Sequence, residues 1–143
     1  MADVGEHQFK YSIYPHRGPW GVATQREAYL LNDPILINRS NGAGPVSKAQ
    51  QPSLPSLIST SSTNVIIETV KRAEDGNGII VRLYESQRKR GLIQVQAGFG
   101  LQAAWVTNLL EENEKPLSVE NDTIQLQLNP YQIVTLRLVP EAG

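Results

Sequence analysis

Between Asn64 and Glu85 the chain reads NVIIETVKRAEDGNGIIVRLYE, two arms rich in β-branched residues around a turn. Val65, Ile66, Ile67 and Val70 form the first arm, and Ile79, Val81 and Leu83 alternate with Ile80, Arg82 and Tyr84 in the second. Asp75, Gly76, Asn77 and Gly78 lie between them, and glycine and asparagine readily take the positive φ that tight hairpins demand. Strand side chains alternate from face to face, so Ile79, Val81 and Leu83 share one side. A lone hairpin is marginal in water, and that apolar side therefore requires further strands.

The flanking sequence supplies them. From His7 to Tyr14, Phe9, Tyr11 and Ile13 alternate with Gln8, Lys10 and Ser12, which predicts a half-buried strand stopped by Pro15. Val22, Ala23, Arg26, Glu27, Leu30 and Leu31 predict one short helix near residues 20–31, ended by Asn32, Asp33 and Pro34. Short strands are expected at Pro34–Ile37 and Leu54–Ser59, separated by a Gly-, Pro- and Ser-rich flexible loop or insertion over residues 39–53. Ile93, Val95 and Ala97 mark another strand, and Leu101 to Leu110 reads as the next. Glu111 to Glu114 reads as a solvated turn. Ile124, Leu126 and Leu128 give the clearest alternation, and Val134, Leu136 and Leu138 close the series. Short strands at this spacing predict an all-β fold, an antiparallel β-sandwich forming a single domain over residues 1–143.

Bulk properties narrow the function classes. Thirteen Lys and Arg against fourteen Asp and Glu leave a net charge of −1, without the field of a nucleic-acid or membrane-surface binder. Cysteine is absent, which excludes disulfides and thiolate metal sites. No run of about 18 apolar residues is present for a membrane span. The opening MADVGEHQFK has no apolar core of a signal peptide, which favours a cytoplasmic location.

Local motifs point to turns rather than to chemistry. Gly98, Gly100 and Ala103 match GxGxxA, but that motif binds a pyrophosphate only between a strand and a helix in a βαβ unit, and here strands flank it. Asp75 and Asn77 begin like a calcium loop, yet position 79, where a third oxygen ligand belongs, is Ile. Arg88, Lys89 and Arg90 read as a solvated basic turn. The only histidines are His7 and His16, with Asp3 and Glu6 nearby, and their spacing alone makes no metal site. No GxSxG elbow occurs, so neither a catalytic nor a metal-binding set is identified.

Two stretches resemble a known family. Asp3, Gly5, His7, Phe9 and Tyr11, closed by Tyr14-Pro15-His16, are similar to the D-x-G-x-H-x-F-x-Y…PH strand in the C-terminal half of glycoside hydrolase family 38 α-mannosidases. Lys71, Glu74 and Asp75 followed by Ile80-Val81-Arg82-Leu83-Tyr84-Glu85 resemble the K-x-x-E-D…IVRLYE hairpin of the same proteins. Ala28 to Pro34, Asn108 to Glu111 and Pro130 to Leu136 fall in the family's order too, and only Arg39 to Pro52 stands outside.

The resemblance implies a parent enzyme that is a retaining, zinc-dependent exo-α-mannosidase. In that family the zinc and the aspartate nucleophile belong to a large N-terminal domain, with no counterpart among these residues. The chain is thus expected to be a C-terminal fragment, inactive alone and without a cofactor of its own, that buttresses the catalytic domain. Its expected partners are the remainder of the α-mannosidase chain and a second copy in a homo-oligomer. Asp3, Glu6, His7 and His16 are the candidate interdomain contact, since charged groups on a half-buried strand need partners. The alternative is a carbohydrate-binding module with Trp20 or Trp105 stacking on sugar rings.

Overall fold

The computed structural model describes residues 4–33 and 56–142. The chain divides into two compact units, Met1–Gly42 and Ala43–Gly143. In the first unit, helix α1 spans Val22–Asn32. Gly21 stands at its N-terminus, with its N–H donating to the Thr24 hydroxyl at 3.4 Å. The Asp33 N–H returns to the Tyr29 carbonyl at 2.7 Å to end it. None of its side chains is buried, so the apolar stripe of Val22, Leu30 and Leu31 is exposed.

The N-terminal alternation does not become a strand. Residues 6–16 carry no helix or strand, and Phe9, Tyr11 and Ile13 are 82%, 84% and 86% exposed. Alternation makes a segment fit for a sheet, but pairing with a neighbour is what makes it a strand. Among the described residues no strand pairs with it. The expected strand at Pro34–Ile37 and the loop over residues 39–53 lie outside the described residues.

In the second unit the described residues form nine strands in two antiparallel sheets. Strands β1 (Ile58–Thr60), β4 (Gly91–Ala97), β8 (Thr123–Leu128) and β7 (Val119–Glu120) make a four-stranded sheet in the order β1-β4-β8-β7. Strands β2 (Val65–Arg72), β3 (Ile79–Glu85), β9 (Ile133–Pro140), β5 (Leu101–Thr107) and β6 (Asn113–Leu117) make a five-stranded sheet in the order β2-β3-β9-β5-β6. Inward residues of both sheets meet in one core: Ile93, Val95, Ile124 and Leu128 from the first, Val81, Leu83, Leu136 and Leu138 from the second. The fold is an antiparallel β-sandwich.

The hairpin pairs Val65 with Glu85 and Arg72 with Ile79, with a bulge between Ile67 and Thr69. Gly76 and Gly78 take φ of 76° and 99° in its turn. A Cβ on Gly78 would stand 2.6 Å from the Leu138 carbonyl oxygen, so only glycine lets β9 pass there. Gly98 serves the β4–β5 connection for a similar reason, since a Cβ there would stand 2.4 Å from the Ser56 carbonyl oxygen. The sequence had not suggested β6 and β7, whose exposed or half-buried residues lack a clean alternation.

The burial pattern separates core from face. Leu83→Ala removes a fully buried side chain and should lower stability by about 2–5 kcal/mol. Gln125→Ala, beside buried Leu126 but facing outward, should change it by less than about 0.5 kcal/mol. Equal losses in urea melts would place the strand register one residue out.

Candidate functional site

Glu6, His7 and His16 lie in the exposed N-terminal segment, and Asp3 lies outside the described residues. The rings of Tyr14 and His16 stack with centroids 5.9 Å apart, and Phe9 and Tyr11 lie 6.4 Å apart. Trp20 is exposed just ahead of α1. Trp105 is half-buried on the outer face of the five-stranded sheet, in register with Arg137 on β9. Among the described residues no three His, Asp or Glu side chains come together as a metal-holding group.

The buried polar groups of the sandwich lie elsewhere, and sequence reasoning missed them. Arg137 is only 5% exposed although it alternates outward between Leu136 and Leu138. Its Nη1 donates to both Asp75 carboxylate oxygens at 2.8 and 2.7 Å and to the Asn77 carbonyl at 2.8 Å. Its Nη2 donates to the Glu111 carbonyl at 2.7 Å. The Glu111 carboxylate in turn accepts the Glu74 N–H at 2.9 Å and pairs with Lys71 Nζ at 2.8 Å. Lys71 also pairs with Glu74. One arginine thus ties the β2–β3 turn to the β5–β6 connection across the sheet.

Charge follows this geometry. The Asn77 N–H and then Arg137 hold the Asp75 carboxyl below its usual range. Lys71 and then the Glu74 N–H do the same for Glu111, which in return raises the Lys71 ammonium. Glu111 is therefore not part of a solvated turn. Its backbone takes a φ of 66°, a conformation that costs a non-glycine residue about 1–2 kcal/mol and is retained by these bonds.

At the other end of the hairpin Glu85 is 1% exposed. Its carboxylate accepts the Asn64 side-chain amide at 2.8 Å, the Gln87 N–H at 2.7 Å and the Tyr131 N–H at 3.0 Å. Burial works to raise its pKa, but these donors and the Lys89 N–H outweigh it and lower the carboxyl from 4.5 to about 2. The group closes the ends of β2 and β3 and the turn before β9. Its position at the end of a strand in a polar-looking YES sequence carried no sign of this.

Apart from the Arg137 Nε, which is buried without a partner, these side chains bond one another and nearby backbone groups, an arrangement that stabilises loops. Comparison with known proteins agrees. A sequence profile for the glycosyl hydrolases family 38 C-terminal beta sandwich domain matches residues 64–136. The chain belongs to glycosyl hydrolase family 38. Within the family it is 35% identical to alpha-mannosidase G of Dictyostelium discoideum, over 96% of this chain and 13% of that protein. It is 31% identical to alpha-mannosidase 2C1 of Mus musculus, again over 96% of this chain and 13% of the relative. The alpha-mannosidase of Saccharomyces cerevisiae is 28% identical over 96% of the chain and 14% of its own length. The chain thus spans about an eighth of the length of these relatives, and the family match begins where the hairpin begins.

The Glu85 carboxylate gives a pH test. A lowered folded-state pKa means that its contribution is complete above the ordinary carboxylate value near 4.5 and is lost as pH falls toward 2. Urea melts should show stability falling by roughly 3 kcal/mol across that window because of this group. Glu85→Gln should start less stable and follow a flatter pH curve. A mutant curve parallel to the wild type would remove Glu85 as the source.

Proposed function

We propose that this chain is a non-catalytic C-terminal β-sandwich domain of an α-mannosidase and braces the catalytic part of the same polypeptide. The observation that carries the reading is the family domain match, together with relatives named alpha-mannosidases of which this stretch is 13–14%. The buried polar chemistry supports it, because Glu85, Glu111 and Arg137 are engaged in holding loops. Zinc does not fit the residues described here, which bring no three His, Asp or Glu side chains together. The metal of the parent is assigned to the rest of that protein. A purified sample of this chain should release no nitrophenol from nitrophenyl α-mannoside, with or without added zinc. Chelator-sensitive release would overturn the reading.

The contact with the parent is assigned to the Asp3–His16 stretch. Its support is the exposed apolar row of Phe9, Tyr11 and Ile13, a surface that water solvates poorly. Glu6, His7 and His16 flank the row and supply polar contacts at its rim. In the separated chain the same row offers a surface for a second copy. In the full-length enzyme, His7→Ala with His16→Ala, and separately Phe9→Ser with Ile13→Ser, should lower activity or loosen domain association. Melting of the isolated chain should stay unchanged. Variants that unfold the isolated chain but leave the enzyme untouched would make these residues internal to the domain.

A further inference from the structure

The outward face of the four-stranded sheet carries no charge on its two central strands. Leu92, Gln94 and Gln96 point away from the core on β4, opposite Gln127, Gln125 and Thr123 on β8. An exposed face of an ordinary soluble protein is mixed with Lys, Arg, Glu and Asp, and 19% of this chain is charged. Here four glutamines and a threonine take those places. The face deepens into a groove of about 550 Å³ where the chain passes from β6 to β7, and Gln94, Gln125 and Thr123 form its floor. Ser118 and Asn121 add a hydroxyl and an amide, and Lys115 and Glu120 contribute one charge of each sign. Pro116 and Leu117 give it a short apolar strip.

One wall of this groove is held in place. Asn121 and Asp122 both take positive φ, 49° and 59°, the backbone of a two-residue hairpin turn. Asp122 anchors that turn: its carbonyl accepts the Ala97 N–H at 2.9 Å and its carboxylate the Leu101 N–H at 2.8 Å. A preorganised wall lowers the ordering cost of binding. Each amide offers two donors and an acceptor, which suits hydroxyl groups that both donate and accept. The lining is neutral in sum, so a charged ligand gains nothing from it. A protein partner would look for aromatic or arginine anchors, which this groove lacks.

We propose that this groove binds a neutral oligosaccharide, with Gln94, Gln125 and Asn121 bonding its hydroxyls and Pro116–Leu117 against a C–H face of one ring. The groove volume lies within the range of small-ligand sites. The choice of mannosides as probes rests on the function proposed above; the groove itself does not.

The test is an NMR titration of the ¹⁵N-labelled chain with α-mannobiose, α-mannotriose, cellotriose and the acidic trimer of galacturonic acid. Saturable shifts are expected in the side-chain amides of Gln94 and Gln125 and in the backbone amide of Asn121, with millimolar dissociation constants for the neutral sugars only. Gln94→Ala and Gln125→Ala should each weaken binding about fivefold, the loss of one hydrogen bond, while melting stays unchanged. Binding of cellotriose without the mannosides would uphold the groove and count against the mannosidase reading. No saturable shift up to about 50 mM of any neutral sugar, far above the affinity expected, would overturn the proposal. So would shifts centred on Trp20 or Trp105, tight binding of the acidic trimer, or shifts at this face that follow protein concentration instead of sugar.

Discussion

Taking a guanidinium out of water costs several kcal/mol unless its donors find acceptors, and that requirement shapes one end of this sandwich. Arg137 stands on a central strand, where the sheet itself offers its side chain no partner. Asp75, the Asn77 carbonyl and the Glu111 carbonyl must therefore come over the sheet to meet it. The β2–β3 turn and the β5–β6 connection are thereby fixed with respect to β9. Glu111 then reaches the Glu74 N–H and Lys71, so one buried cation organises two loops and a second ion pair. Glu85 does the corresponding work with a carboxylate at the far end of the same hairpin. Between these two ends the alternation of Val81 and Leu83 needs only to face the other sheet.

The two faces of the sandwich are consequently unlike. The outer side of the five-stranded sheet is occupied by paired charge that bonds to its own loops, with the Arg137 Nε left without a partner. The outer side of the four-stranded sheet is open, uncharged and lined by amides. A polar network bonded within itself suits permanent structure, because replacing Asp75 or Glu111 leaves the buried Arg137 or its neighbours without a partner. An open amide face suits exchange with solvent or with a hydroxyl-rich ligand, since each bond made to it replaces one to water at little cost.

Edges are treated as unequally as faces. In the four-stranded sheet the edge strands β1 and β7 have three and two residues, too short to template another chain. In the five-stranded sheet β6 carries Pro116 and the charges of Glu114 and Lys115, and β2 is kinked by its bulge. Such edges keep the sandwich from open-ended pairing.

The sequence by itself determined the hairpin, the antiparallel sandwich and the inward sets of β4, β8 and β9. Those follow from period-two alternation and turn chemistry, which are local and act residue by residue. Its resemblance to the family rested on this hairpin and on the Asp3–His16 stretch, and the family profile matches residues 64–136, which include the hairpin. The tertiary structure alone decided the fate of outward residues. Arg137, Glu85 and Glu111 look like solvated positions in any local window, yet their partners lie up to 62 residues away along the chain. The segment from His7 to Tyr14 shows the converse: its alternation satisfies every local rule, but a strand also needs a neighbour to bond, and alternation cannot provide one. Whether a side chain is wet or buried depends on what folds over it, and that is a property of the assembled sheets rather than of the pattern along either strand.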